Sequence, residues 1–131
     1  MSYQLVKFGK QLLQLHSNKS LYWEAEELLV VSDLHLEKGS SFNSSGQFLP
    51  PYDTKETINR LASIIAGIKP KTLILLGDTF HDNSSFERMH SKDKANFNKI
   101  ITQIDTIFIE GNHDSKISKF NFRNEKCYKR K

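Results

Sequence analysis

Three short turns of this chain gather residues able to do chemistry: Asp33 and His35 in Ser32-Asp33-Leu34-His35, Asp78 after Gly77, and Asn112, His113 and Asp114 after Gly111. Their donors are carboxylate and amide oxygens and imidazole nitrogens, a set that suits Mn, Fe, Zn or Ni and not a metal selected by thiolates. A carboxylate has two oxygens, so Asp78 at the middle turn could bridge two ions about 3.5 to 4 Å apart. Such a pair answers the main difficulty of phosphoester hydrolysis. It neutralises the phosphate, makes water a nucleophile at neutral pH and stabilises charge developing in the transition state. A histidine near the site could then give the leaving oxygen its proton.

Each turn follows an apolar run: Leu28 to Val31, Thr72 to Leu76, and Thr106 to Ile109. Runs of this length suit strands buried on both faces, the kind found in parallel sheets, and open α/β sheets place their ligands at the carboxyl ends of such strands. If the backbone stays extended through Asp33-Leu34-His35, the period of two puts the carboxylate and the imidazole on one side and turns Leu34 toward the core.

The intervening segments supply the rest of an α/β plan. Residues 3 to 25 alternate weakly around turns at Gly9-Lys10 and Ser17-Asn18-Lys19, which predicts two or three short antiparallel strands; His16 reads there as a structural or surface histidine. Asp53 opens a helix with Glu56 at capping-box spacing, Ile58, Leu61, Ile64, Ile65 and Ile68 form its apolar stripe, and Pro70 stops it. Phe97, Ile100, Ile101 and Ile104 mark a second helix from about Asp93 to Asp105. The polar loop from Gly39 to Asp53 carries Phe42, Phe48 and Tyr52; it is either a wall of the substrate site or a connection packed by its own aromatics. Strands buried on both faces need helices on both, and only two long helices are available, so one sheet face is expected to be bare unless a partner or further chain covers it.

Composition narrows the class. At 131 residues the chain makes one domain at most, and its 37% hydrophobic and 26% charged content is ordinary globular material. No apolar run approaches the roughly 18 residues of a spanning helix, and Met1 to Gln11 lacks a signal-peptide core, which excludes a membrane role and leaves the cytoplasm as the expected compartment. Cys127 is the only cysteine, so neither an intrachain disulfide nor a Cys-based zinc site is available. The net charge of +4 is concentrated from residue 115 onward, where seven Lys or Arg face Glu125 alone. This basic tail is either a solvated terminus or a contact for a polyanion such as nucleic acid.

The motifs Asp33-Leu34-His35, Gly77-Asp78 and Gly111-Asn112-His113-Asp114, each after a strand and in this order, resemble the first three motifs of the calcineurin-like metallophosphoesterases. The resemblance implies an αββα sandwich, represented here by antiparallel strands and then βαβαβ, with Asp33 and His35 on one metal, Asp78 bridging both and Asn112 on the second. It makes His113 the general acid, oriented by Asp114. The stretches Asp33 to Gly39, Leu49 to Thr54 and Gly77 to Asp82 are similar to the bacterial ligase-associated DNA damage response endonucleases. That implies a phosphodiesterase acting on DNA, using two divalent ions such as Mn and working beside a DNA ligase. The family pattern continues with a further histidine and a Gly-His-x-His motif, whereas no histidine follows His113. The expectation is therefore a single incomplete domain, residues 1 to 131. Alternatives are an inactive remnant serving as a binding module, and a phosphoesterase for cyclic nucleotides or phosphoproteins. Of the remaining polar residues, His81 either touches the substrate or ligand set or is a loop residue, while Asp82 reads as loop and His90 as surface.

Overall fold

The computed structural model describes residues 2–38, 53–82 and 84–110, and the backbone of a strand at 123–125. Among these residues seven strands form one sheet in sequence order. The amino-terminal alternation becomes three antiparallel strands, β1 (Tyr3–Phe8), β2 (Gln11–His16) and β3 (Leu21–Trp23). Gly9, at φ +62°, makes the tight turn between the first two. A single 3-10 turn, Glu24–Glu26, ends on Glu27 in the left-handed region, whose carbonyl accepts from the amides of Lys71 and Thr72. This reversal brings β4 (Leu28–Ser32) antiparallel to β3 and parallel to β5 (Thr72–Leu76).

From β4 onward the sheet is parallel, with β6 (Asp105–Ile109) beside β5 in the register Leu28↔Thr72↔Asp105. The crossovers are α1 (Asp53–Ile68) and, after the single-turn helix α2 (Ser85–Arg88), α3 (Ser91–Gln103). Both long helices pack on the same face, where Ile58, Leu61, Ile64, Phe97 and Ile101 meet Leu29, Val31, Leu73, Leu75 and Phe108. Every crossover steps the same way across the sheet, and right-handed crossovers stepping one way deliver their helices to one side. At the centre Phe80 meets Phe97 edge-on at 5.9 Å and Phe108 at 6.3 Å.

The other face differs from expectation. Leu28, Ile74, Ile107 and Ile109 are themselves buried there, forming a second, smaller core with Trp23 and Val30 packed against it. Counting helices alone overlooked Trp23, which shares this face through its pairing with Leu28. The basic terminus also departs from a uniform tail, since β7 (Arg123–Glu125) adds a short parallel strand beside β6. Among the described residues no helix is long and apolar enough to cross a membrane.

Candidate metal centre

The strand ends are where the chain departs most from the extended backbone that the sequence suggested. Asp33, His35 and Asp78 all adopt left-handed conformations, with φ of 53°, 47° and 47°, as do Glu37 and Gly77. Alternation along an extended strand is thus not what aims the side chains. Aspartate and histidine enter this region more readily than most residues, and clustering of such conformations is common at functional sites.

What holds these turns is a set of backbone hydrogen bonds running from one strand end to the next. The Gly77 amide donates to the Ile109 carbonyl at 2.8 Å and the Asp33 amide to the Gly77 carbonyl at 3.1 Å. The His35 amide donates to Asp78, the Leu36 amide to Thr79, and the His81 amide back to Leu36, at 2.9–3.0 Å. Leu36 and Phe80, which face each other across this ladder, are buried in the main core. Leu34 also packs against that core, as expected. Apolar residues therefore anchor both turns from below while Asp33, His35 and Asp78 stay above.

The result is a compact donor group. One ligand atom from each of Asp33, His35 and Asp78 lies within 4.8 Å of the others. Asp33 Oδ1 stands 3.7 Å from His35 Nε2, with the Asp33 side chain 64% exposed and that of His35 29%. Two carboxylates and an imidazole at the solvent boundary fit a divalent cation of the Mn, Fe, Zn or Ni class. The ring of His81 lies edge-on to His35 at 5.7 Å, so His81 belongs to the surroundings of this group.

A structural brace behind the site went unread in the sequence. Arg88 grips Asp82 through two hydrogen bonds of 2.9 Å and donates a third to the backbone carbonyl of Glu37 at 3.0 Å. Glu37 is buried and hydrogen-bonded to the Thr54 hydroxyl of α1. Asp82 is thus a loop residue, as expected, but one that ties the turn after β5 to the turn after β4. The six-residue separation of Asp82 and Arg88 matches no helical pairing distance, which is why the pair escaped notice. His90 is exposed and caps α3, its Nδ1 accepting from the Lys92 amide. His16 is buried, hydrogen-bonded to Gln14 and packed on Tyr3, in agreement with a structural role.

The brace predicts a pH dependence. Burial opposes ionisation of Asp82, but hydrogen bonds from Arg88 and the Ser84 amide and the charges of Arg88 and His81 outweigh it and hold the carboxyl below its ordinary value of 3.8. A depressed carboxyl contributes stability that is present above the unfolded-state value and lost as pH falls through the folded one. Arg88→Met should cost about 1 to 2 kcal/mol at pH 7, a modest figure because Asp82 is partly exposed. In urea unfolding the gap between wild type and variant should narrow as pH falls below about 4; a gap independent of pH would remove the ion pair from the account.

Asn112, His113 and Asp114 lie outside the described residues, as does most of the loop from Gly39 to Asp53. Comparison with known proteins adds a family. A family model described as calcineurin-like phosphoesterase matches residues 27–131. The crystal structure of Pseudomonas putida nuclease MPE matches with a TM-score of 0.76 and 26% sequence identity, over 95% of this chain and 60% of that one. This chain therefore spans about three fifths of that structure's length. No curated protein sequence matches it.

Proposed function

The chain belongs to the calcineurin-like phosphoesterases, and we propose that it hydrolyses phosphodiester bonds in nucleic acid, with DNA as the substrate and two divalent cations as cofactors. The observation that carries this reading is the convergence of Asp33, His35 and Asp78 from two adjacent strand ends to within 4.8 Å. Likeness to the Pseudomonas putida nuclease supports the diester substrate. In this reading Asp33 and His35 would hold one cation, Asn112 would hold the second, and Asp78 would contribute to both. Two carboxylates for one imidazole favour the harder end of the metal series, so we take Mn²⁺ as the ion of choice. Bound cations would supply charge neutralisation of the phosphate and activation of water.

The chain's own residues then have separable duties. Left-handed turns locked by the strand-end ladder keep the donors in place before substrate arrives. The imidazole of His35 is half-buried, while the Asp33 carboxylate stays open to solvent, from which a cation can reach it. His113, oriented by Asp114, gives a proton to the leaving oxygen. The ligase-associated DNA damage response endonucleases are the subfamily we assign, on the stretches Asp33 to Gly39 and Gly77 to Asp82; a functional link with a DNA ligase follows from that assignment.

Two measurements test this. With Mn²⁺ the protein should hydrolyse bis(p-nitrophenyl) phosphate and DNA in preference to cyclic nucleotides and phosphopeptides; absence of any turnover with metal bound would favour a binding module. His113→Ala should keep its metal content while turnover falls by about 10² to 10⁴, the span of a lost general acid. Metal lost together with activity would instead make His113 a ligand.

A further inference from the structure

Beside the donor group lies a second feature that the hydrolytic reading leaves unused. A pocket of about 150 Å³ opens between the turn joining β2 to β3, the end of β4 and the middle of α1. Asp33 lines it and also belongs to the donor group, so the two are contiguous. Its polar lining is Asn18, Lys19, Ser32, Thr57 and Arg60, two cations, two hydroxyls and an amide. Its floor includes Val31, Leu61 and Ile64, all buried in the main core.

This lining is the chemistry of a phosphate site. Ammonium, guanidinium, hydroxyl and carboxamide groups all donate hydrogen bonds, and the charges present, Lys19 and Arg60 against Asp33, sum to +1. Cation binding at Asp33 would raise that balance further. Lys19 and Arg60 are solvent-exposed at the rim, where an incoming strand can reach them, while the apolar floor closes the pocket from below. Lys19 is held by its turn: its amide donates to the His16 carbonyl at 3.0 Å, its φ is 69°, and the following Ser20 is buried and bonded to Asn18. Arg60 projects from the body of α1, whose packing fixes its origin.

We infer that the pocket formed by Lys19, Ser32, Thr57 and Arg60 binds a phosphate of a polynucleotide strand adjoining the phosphate that reacts at Asp33. The inference rests on the phosphodiesterase reading and narrows it. A substrate spanning both places needs two phosphates in covalent sequence, which a strand has and a simple diester lacks. The pocket thereby sets the register of the strand and favours oligonucleotides over isolated diesters.

The test is equilibrium binding of a fluorescein-labelled single-stranded oligodeoxynucleotide in metal-free buffer, followed by anisotropy across a salt series. Lys19→Gln with Arg60→Gln should weaken binding roughly tenfold and flatten the slope of log affinity against log salt by about 0.7, the share of one single-strand phosphate. Lys19→Arg with Arg60→Lys should keep both near wild type, and thermal melting of each variant checks that the fold is intact. Unchanged affinity and slope in the glutamine pair would overturn the proposal, and so would inorganic phosphate that competes as well as the oligonucleotide. Because no metal or turnover is involved, failure here is separate from failure of the hydrolysis assay with Mn²⁺.

Discussion

Asp78→Asn should abolish turnover while leaving the fold nearly untouched. Asp78 sits in the left-handed region at φ 47°, where asparagine is as comfortable as aspartate and alanine is strained, so the amide isolates the charge from the backbone. Stability measured in urea should change by no more than about 0.5 kcal/mol. Catalysis should fall by about 10³ or more, because charge stabilisation by bound cations is worth several kcal/mol and each 1.36 kcal/mol is a factor of ten. Isothermal titration with Mn²⁺ should show both sites weakened together, since in our reading this carboxylate would contribute to both. Loss of one site with the other intact would place Asp78 on a single ion, and retained turnover would remove it from the centre altogether.

Phe80→Ala is expected to have the largest effect on stability. Its ring is fully buried between Phe97 and Phe108, in contact with the core under both helices, and truncations of such rings cost about 3 to 5 kcal/mol. Against a total of about 5 to 15 kcal/mol, the variant would be marginal. Phe8→Ala offers the contrast, because that side chain is 75% exposed on the amino-terminal hairpin and its removal should stay within about 0.5 kcal/mol. The loss at Phe80 should also reach the metal centre, since Phe80 faces Leu36 in the ladder joining the turns that carry His35 and Asp78. Residual folded protein should therefore bind Mn²⁺ less tightly than wild type. A cost below about 1 kcal/mol would show that the aromatic cluster can close over the gap.

Much of the architecture was readable in the chain itself, for local reasons. Four-to-five-residue apolar runs such as Leu28 to Val31 and Thr72 to Leu76 have few ways to bury most of their side chains other than as central strands, and the two do lie side by side as parallel strands inside the sheet. The stripe Ile58, Leu61, Ile64 and the stop at Pro70 similarly specify α1, which ends on Lys69 in the left-handed region just before the proline. Polar residues placed directly after buried strands also pointed to a centre at the carboxyl ends, and Asp33, His35 and Asp78 do come together there.

Other features depend on residues far apart in sequence and could be decided only by the folded chain. The side of the sheet taken by α1 and α3 follows from the order of the strands, which no single segment encodes. Burial of Ile74 and Ile107 on the opposite face likewise had to be seen, because a helix count does not tell which side chains pack on that face. Asp33-Leu34-His35 suggested alternation along an extended strand, yet its backbone is left-handed at both chemical residues. The preference of an isolated tripeptide is overridden there by bonds to Gly77 and Asp78 on the neighbouring turn, more than forty positions away. The same holds for Arg88, which nothing in its local sequence singles out and which joins Asp82 to Glu37. Apolar periodicity and turn chemistry act within a few residues and so show in the sequence. Backbone ladders and bonds such as that of Arg88 to the Glu37 carbonyl form between distant segments, and only packing determines which groups they bring into reach.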